Sequence, residues 1–245
     1  MRLSRTVLLA GAGSLVVGAL APHALAAAPK APAFSAPVKL TGAAGGEPSI
    51  VSDSTTHVVV TGPQGIPSAT GGTPGVAVWV SKDGGHSFAT AALHGSYLGG
   101  GDSDVATTPN GTFYIADLEA AATAVCKSVD HGATWTSIGP APDPGNCGGV
   151  VAGQAGPSND REWLTPDGNK RIYLTYHEFV SAQPVMFRDD NAGNDLFTDG
   201  PCGPLVTDPS IEANVPTDIP GGTLVSKPVV GPDGAVYVMF TTTTQ

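Results

Sequence analysis

Apolar residues in this chain occur in short runs rich in β-branched and aromatic side chains, each bounded by glycine, proline, asparagine or aspartate. No run keeps an apolar period of 3.6 residues over a useful length, so the pattern predicts strands and not helices. The abundance of glycine (33) and proline (22) also fits many short strands joined by tight turns. The predicted strands are residues 57–63, 75–81, 111–118, 123–129, 171–179, 183–189 and 234–242.

A Pro-Asx-Gly turn followed by a strand occurs three times, at 108–118, 165–176 and 231–241. The turn prolines are 57 and 66 positions apart. Asn-Gly and Asp-Gly tolerate positive φ, so each of these turns predicts a tight hairpin. The first unit departs from the pattern, because "IVSDSTTHVVV" (50–60) has Asp53 at the expected turn but no Pro-Asx-Gly.

A second repeat pairs "SKDGGHSF" (81–88) with "SVDHGATW" (128–135), and the two serines are 47 positions apart. Both segments, which we call the box turns, read Ser-x-Asp-x-Gly-x-x-aromatic. The hydroxyl and carboxylate can bond within the turn, the glycine can adopt positive φ and the ring can pack on a neighbouring sheet. The residues with these expected structural roles are Ser81, Asp83, Gly85, Phe88, Ser128, Asp130, Gly132 and Trp135. Two further box-turn residues, His86 and His131, are expected at exposed turn tips.

Together the repeats predict four-stranded antiparallel meanders of roughly 50–60 residues. One such sheet cannot bury both faces, whereas several around an axis can, which predicts an all-β β-propeller. The box turns resemble the Asp-box, or bacterial neuraminidase repeat, of sialidase-like β-propellers, over roughly residues 46–245; a third copy at 187–197 is degenerate. Closed propellers have about 4–8 blades. Because about three to four blades are present, we expect a partial propeller that is truncated at its C-terminus.

The N-terminal 26 residues read as a secretory signal peptide: a basic start, an apolar stretch and small residues at Ala24 and Ala26. Residues 27–45 read as a flexible linker, and 46–245 as the propeller domain. No later apolar run has spanning length, so we expect a secreted protein without a membrane span. Removing the signal removes two of the eleven basic residues and no acidic one, and 21 acidic residues remain. Such an acidic chain is a poor candidate for nucleic-acid binding, and we expect a monomer when full length.

Three cysteines permit one disulfide in an oxidising compartment. Cys126 with Cys147 is the first expectation, since a loop of about 20 residues closes easily. Cys202 with Cys147 is the alternative. The spacing fits no common zinc pattern, and we predict no metal held by these thiols.

Charged residues recur where each unit enters its innermost strand. Asp104, Arg161 and Lys227 each stand five positions before a turn proline, and Glu47 is near the equivalent place in the first unit. These groups either converge on a ligand site at the channel mouth or are simply exposed strand starts. No cofactor is predicted, although a Ca²⁺ ion held by carboxylate oxygens is the alternative; the candidate ligands are Asp102, Asp104, Asp160 and Glu162.

The family resemblance implies hydrolysis of sialic acid by three arginines, a Tyr–Glu nucleophile pair and an acidic aspartate. The mature chain has only Arg161, Arg171 and Arg188, and it lacks the family's first-blade Phe-Arg-Ile-Pro signature. Either Asp102 or Asp104 matches the family's acid. The segment "YHE" (176–178) offers a tyrosine and a glutamate, but a strand end with Tyr176 in the core is the simpler interpretation.

We therefore expect a secreted sialidase-like propeller, an exo-glycosidase with its site at the channel mouth. The candidate catalytic residues are Asp104, Asp102, Arg161 and Glu162, and the candidate ligand-binding residues are Glu47, Asp160 and Lys227. The alternative is a non-catalytic propeller that binds a glycan or a protein at the cell surface.

Overall fold

The computed structural model describes residues 31, 33–41, 46–64, 76–91, 93, 101–119, 122–138, 159–178, 183–191 and 225–239. The predicted signal peptide, Cys147 and Cys202 lie outside these residues. The chain divides into two units, Met1–Pro37 and Val38–Gln245, and the described residues of the first have no regular secondary structure. No helix in the described part of the chain is long and apolar enough to cross a membrane.

Within the described residues, the second unit contains four antiparallel sheets, each made of strands consecutive in the chain. The first two are complete four-stranded sheets: β1 (Ser49–Ser52), β2 (Val58–Gly62), β3 (Ala77–Ser81) and β4 (Ala89–Ala91), then β5 (Ser103–Thr107), β6 (Phe113–Glu119), β7 (Ala122–Ser128) and β8 (Thr136–Ser137). The third contains β9 (Asn159–Asp167), β10 (Arg171–Glu178) and β11 (Gln183–Asp189), and the fourth contains β12 (Val229–Val230) and β13 (Val236–Tyr237).

The first strands of the four sheets lie side by side: β1 contacts β5, β5 contacts β9, and β9 contacts β12. Sheets that share a line of inner strands in this way are the blades of a β-propeller, and we number them blades 1 to 4 in chain order. The predicted all-β fold with four-stranded antiparallel blades is confirmed. All seven predicted strands overlap observed ones; the last was predicted too long, since β13 covers only Val236–Tyr237.

The three Pro-Asx-Gly turns form the β5–β6, β9–β10 and β12–β13 hairpins. Their glycines, Gly111, Gly168 and Gly234, have φ of 83°, 61° and 79°, which a side chain disfavours. Blade 1 builds the same turn differently: the Asp53 carboxylate accepts hydrogen bonds from the backbone N–H groups of Thr55 (2.9 Å) and His57 (3.2 Å). An aspartate can therefore replace the glycine turn because its side chain satisfies the turn's backbone donors.

The two box turns have the same internal hydrogen bonds. In the second, Ser128 Oγ donates to Asp130 Oδ1 (2.7 Å) and accepts from Gly132 N (2.8 Å), and Asp130 also accepts from the amide and hydroxyl of Thr134 (2.8 and 2.6 Å). Ser81, Asp83, Gly85 and Ser87 repeat these bonds in the first box turn. The glycines Gly85 and Gly132 have φ of 89° and 86°. Each box turn is thus held in shape by hydrogen bonds between its own residues.

Blade 2 is buried on both faces, because successive residues of a strand point to opposite sides. Phe113 and Ile115 of β6 belong to a core cluster with Val59, Val78, Val80 and Trp135, which packs blade 2 on blade 1. The intervening Tyr114 and Ala116 belong to a second cluster with Leu164, Ile172, Leu174 and Phe187 of blade 3. Burying each large apolar side chain contributes about 1.5–3 kcal/mol, so the inter-blade cores hold the inner strands, and the site at their ends, in place.

The second box turn takes part in this packing. Trp135 is buried in the core between blades 1 and 2, and its Nε1 donates to Gly132 O (3.2 Å). Phe88 of the first box turn is only half-buried and packs beside Val60, Ala77 and Trp79. Cys126 of β7 is buried and disulfide-bonded. Its predicted pairing with Cys147 remains a prediction, since Cys147 and Cys202 are not described.

Candidate functional site

The carboxylate of Asp104 joins all four blades at the ends of their inner strands. Its Oδ1 accepts a hydrogen bond from Ser49 Oγ of β1 (2.7 Å), and its Oδ2 accepts one from the backbone N–H of Leu164 in β9 (2.8 Å). Lys227, just before β12, donates from Nζ to both oxygens, at 3.0 and 2.7 Å. The Asp104 side chain is 1% exposed. Blade 2 thus holds blades 1, 3 and 4 through one charged group.

Two predicted site residues, Asp104 and Lys227, therefore meet, but as an ion pair inside the inter-blade contact. Lys227 also donates to the carbonyl oxygen of Val105 (3.2 Å). Both carboxylate oxygens of Asp104 already accept two hydrogen bonds each, which leaves little capacity for a substrate. This placement favours a positioning role for Asp104 and Lys227 over the catalytic and ligand-binding roles expected from the sequence.

A small cleft, open to solvent, lies at the same end of the inner strands. Glu47 contributes from the segment that precedes β1, Asp102 and Ser103 from the start of β5, and three consecutive residues from β9. The lining residues are Glu47, Asp102, Ser103, Arg161, Glu162 and Trp163. Four of them were predicted from their positions at strand starts. Ser103 and Trp163 were missed, because neither residue type is charged.

A β-bulge in β9 sets the direction of the Arg161 and Glu162 side chains. Trp163 pairs with Thr175 and Asp160 pairs with His177, so two residues of β9 oppose the single residue Tyr176 of β10. Arg161 has a φ of 54°, the left-handed conformation of the first position in one common bulge type. That position is usually glycine, and a side chain there costs about 1–2 kcal/mol. Bulges of this kind re-aim side chains and are over-represented next to active sites.

Arg161 forms an ion pair with Glu47 across the cleft. Its Nη2 lies 2.8 Å from Glu47 Oε1, and the two side chains are 39% and 48% exposed. Glu47 also has a left-handed φ, of 42°. Both partners therefore hold strained backbone conformations, and strain of this kind is concentrated at functional sites.

The carboxyl groups of the cleft have pKa values that are shifted in opposite directions. Burial, a hydrogen bond to Glu47 and the charges of Glu47 and Asp160 raise the pKa of Asp102 to about 7. The same hydrogen bond and the Arg161 guanidinium lower the pKa of Glu47. Asp102 and Glu47 therefore share one proton, because two adjacent carboxylates cannot both ionise easily.

Glu162 is the most unusual group of the cleft. It is 1% exposed, and neither carboxyl oxygen has a hydrogen-bond partner among the described residues. Burial, together with the negative charges of Asp117, Asp102 and Asp160, raises its pKa well above the ordinary glutamate value. A buried carboxyl group without a hydrogen-bond partner lowers stability, and perturbed groups of this kind in a cleft are characteristic of functional sites.

The remaining predicted residues lie near this cleft or in the core. Asp160 is partly exposed on β9 and acts on the cleft through its charge. Tyr176 is buried and stacks on Phe187, with ring centroids 5.7 Å apart. Of Glu178 only the backbone is described. The alternative of a Ca²⁺ ion among the mouth carboxylates remains a prediction.

The fold resembles solved glycoside hydrolases. The α-L-arabinanase of Penicillium chrysogenum, complexed with arabinobiose, matches with a TM-score of 0.51 at 16% identity, over 79% of this chain and 56% of that one. The α-L-arabinofuranosidase Arb93A of Fusarium graminearum, in complex with an iminosugar inhibitor, matches with a TM-score of 0.45 at 15% identity, over 60% and 45% of the two chains. The Hadza microbial sialidase Hz136 gives 0.40 at 15%, over 60% and 31%.

The chain spans about half the length of the two arabinan-related structures. Comparison with models of protein families finds no match, and comparison with curated proteins finds none. At such low identity the arabinanase supports the propeller fold alone. The solved structures that resemble this chain include an arabinanase, an arabinofuranosidase and a sialidase, and the sialidase-like family predicted from the box turns is not specifically confirmed.

Proposed function

We propose that this chain carries the catalytic carboxyls of a β-propeller glycoside hydrolase. The observation that carries the proposal is that Glu162 of blade 3 and Glu47 of blade 1 line one cleft and have pKa values shifted in opposite directions. Burial raises the pKa of Glu162 well above its ordinary value, whereas a hydrogen bond to Asp102 and the Arg161 guanidinium lower that of Glu47. Glycoside hydrolysis needs a carboxylic acid that is protonated near neutral pH and a second carboxylate that is ionised. The two environments favour these states in two carboxyls of one cleft, Glu162 buried beneath it and Glu47 exposed on it.

In this mechanism Glu162 is the general acid that protonates the glycosidic oxygen. Its burial and the surrounding carboxylates keep its proton in place until the leaving group takes it. Glu47 is the ionised carboxylate that activates water or attacks the sugar, and the Arg161 guanidinium holds it in the charged form. Asp102 hydrogen-bonds to Glu47. The charge of Asp102 also affects the pKa of Glu162.

The charges of the cleft favour a neutral sugar over sialic acid. A sialic acid carboxylate needs cations that are free to bind it. Arg161 is the one cationic residue that lines the described cleft, and it is paired with Glu47; Lys227, beside the cleft, is paired with Asp104. Sialidase activity, the finer expectation from the sequence, is therefore the less favoured hypothesis. Neutral pentose glycans, such as the arabinobiose bound by the structurally similar arabinanase, are the first substrates to test.

In this proposal the protein is secreted, binds a glycan and does not bind nucleic acid. Extracellular glycans are accessible to a secreted enzyme, and an acidic surface suits them better than it suits polyanions. The non-catalytic alternative predicts glycan binding without turnover, which the experiment below distinguishes.

The test is hydrolysis of a panel of α-L-arabinofuranosides, arabino-oligosaccharides and a fluorogenic α-sialoside by the full-length protein. Glu162→Gln should lower kcat about 10²–10⁴-fold on arabino-oligosaccharides, and clearly less on 4-nitrophenyl glycosides, whose leaving group needs no proton. Glu47→Gln should lower kcat equally on both kinds of substrate. Turnover of the sialoside alone would support the sialidase hypothesis, and binding without turnover by the wild-type protein would refute the enzyme proposal.

A further inference from the structure

Three side chains meet between blades 1 and 2, at the opposite ends of the inner strands from the cleft. Asp53 and His57 lie in the β1–β2 turn, and His131 lies in the second box turn. Asp53 Oδ2 is 3.1 Å from Nδ1 of His57 and 2.8 Å from Nδ1 of His131. One ligand atom from each of the three residues lies within 4.8 Å of the other two.

The residues of this cluster stand at positions where one copy of each internal repeat differs from the others. The other hairpins begin with Pro-Asx-Gly, whereas the first has Asp53 and, four positions later, His57. The box turns align Gly84 of blade 1, φ 73°, with His131 of blade 2, φ 59°. A histidine thus occupies a left-handed position where the other copy has glycine. Repeat copies differ freely in sequence, but these departures meet at one point in space.

The neighbouring backbone leaves room for the imidazole of His131. Gly111, in the β5–β6 turn, has a φ of 83°, and a Cβ added there would lie 2.8 Å from Cε1 and 3.1 Å from Nδ1 of His131. Gly132 similarly packs against Val80 and Val59 of blade 1, where a Cβ would lie 3.1 and 3.4 Å from their methyl groups. The box turn therefore docks tightly on blade 1 and fixes His131 against Asp53.

We propose that Asp53, His57 and His131 bind a first-row transition-metal dication, with Zn²⁺ as the representative ion. A metal about 2.0–2.2 Å from each ligand atom places neighbouring ligand atoms about 3 Å apart, and the two distances to Asp53 Oδ2 are 3.1 and 2.8 Å. The two imidazoles stack with centroids 4.4 Å apart, so they must rotate for both Nδ1 lone pairs to point at one ion. Two imidazoles and one carboxylate are a set that such ions prefer, whereas Ca²⁺ and Mg²⁺ prefer all-oxygen sites.

The second oxygen of Asp53 is already oriented by the turn. Oδ1 accepts hydrogen bonds from Thr55 N (2.9 Å), Thr55 Oγ1 (2.6 Å) and His57 N (3.2 Å), which directs Oδ2 towards the imidazoles. Outer-shell bonds that fix a carboxylate in this way accompany many metal sites.

The site is also accessible to an ion. The side chains of His57 and His131 are 22% and 40% exposed, while that of Asp53 is 1% exposed. Water can therefore complete the coordination on the open side. Because the ligands come from two blades, the ion would join blade 1 to blade 2 and stabilise that interface by mass action.

The experiment is calorimetric titration of ZnCl₂ into the EDTA-treated, dialysed full-length protein at pH 7.5, paired with thermal unfolding. We expect one saturable site that is lost in His57→Ala and weakened at least tenfold in His131→Gly and Asp53→Asn. His131→Gly is suited to the test because Gly84 shows that glycine fits this backbone. His86→Ala, which removes the exposed histidine of the other box turn, is the matched control and should bind as the wild type does.

Thermal unfolding gives the second readout. Zn²⁺ should raise the unfolding temperature of the wild type and of His86→Ala but not of His131→Gly, and circular dichroism should show that all three are folded. Absence of saturable Zn²⁺ binding by the wild type would overturn the proposal. Equal affinity in His131→Gly and the wild type would overturn it as well, because the ion would then bind elsewhere.

Discussion

The Nζ atom of Lys227 lies 2.7 Å from Oδ2 of Asp104, although 123 positions separate the two residues in the chain. The same carboxylate accepts hydrogen bonds from Ser49 and from the Leu164 amide. One buried charge therefore connects all four blades beneath the proposed catalytic cleft. These contacts hold the inner strands together at the end where Glu47, Asp102 and Glu162 line the cleft.

Lys227→Met should destabilise the protein by about 3 kcal/mol, because it leaves the buried Asp104 carboxylate without its counterion. Asp104→Asn should cost about 1–3 kcal/mol, because it leaves a hydrogen-bond donor of another blade unpaired, while the ammonium of Lys227, on a side chain that is 39% exposed, can turn to water. Urea unfolding measures both variants. Arg171→Ala, which breaks two partly exposed ion pairs, is the control and should change stability by less than about 1 kcal/mol. An Asp104→Asn variant as stable as this control would contradict the role assigned to Asp104.

Asp102 should make stability fall as the pH rises from about 4 to about 7. The native state keeps the Asp102 proton up to a pKa of about 7, whereas the unfolded chain releases it near 3.8. Between these two pKa values the native state binds more protons at Asp102 than the unfolded state does. The protonated Asp102 therefore contributes its full stabilisation below pH 3.8, and this contribution is lost as the pH rises through 7.

Asp102→Asn removes this dependence. Its free energy of unfolding, relative to the wild type, should rise by about 1 kcal/mol between pH 5 and pH 8, a modest figure because the cleft is open to solvent. Urea unfolding at a series of pH values measures the difference. Asp233→Asn, at an exposed turn position, should parallel the wild type throughout. Parallel curves for Asp102→Asn and the wild type would show that Asp102 ionises normally.

Glu162→Met should make the protein more stable by about 1–2 kcal/mol while abolishing activity. Methionine has a similar length and no polar atom, so the substitution removes a buried carboxyl without a hydrogen-bond partner. A gain in stability on loss of function is expected at catalytic positions, where function is favoured over stability. Thermal and urea unfolding provide the measurement. Destabilisation by more than about 1 kcal/mol would instead indicate that Glu162 has a structural role.

Ser128→Ala should destabilise the protein more than Ser81→Ala, although the two serines make the same hydrogen bonds. Ser128 Oγ accepts from the buried Gly132 amide, while Ser81 Oγ accepts from the partly buried Gly85 amide. A buried donor without a partner costs about 1–3 kcal/mol, whereas water can reach the Gly85 amide. Equal losses in the two variants would contradict this ranking. Urea unfolding measures the free energy of unfolding of the two serine variants. Thr134→Val, which removes the hydroxyl that donates to Asp130 in the second box turn, is measured beside them.

The sequence by itself determined the features of this protein that depend on local interactions. The Pro-Asx-Gly turns and the box turns close within a few residues, through glycines at positive φ and through side chains that bond to their own backbone. Their spacing then requires sheets of similar size, and such sheets bury both faces only by stacking as blades. The strands, the hairpins and the propeller fold were therefore predictable from one chain.

Only the tertiary structure decided which charged residues become partners. The strand starts predicted that Asp104, Arg161 and Lys227 lie at one end of the propeller, but not that Asp104 is enclosed by other blades while Arg161 faces Glu47. No glycine in the sequence marks the position of the bulge at Arg161. The contact of Asp53 with His131 joins residues that are 78 positions apart in the chain. Pairing, burial and the resulting pKa values depend on distances between blades, and a linear pattern of residue types does not contain those distances.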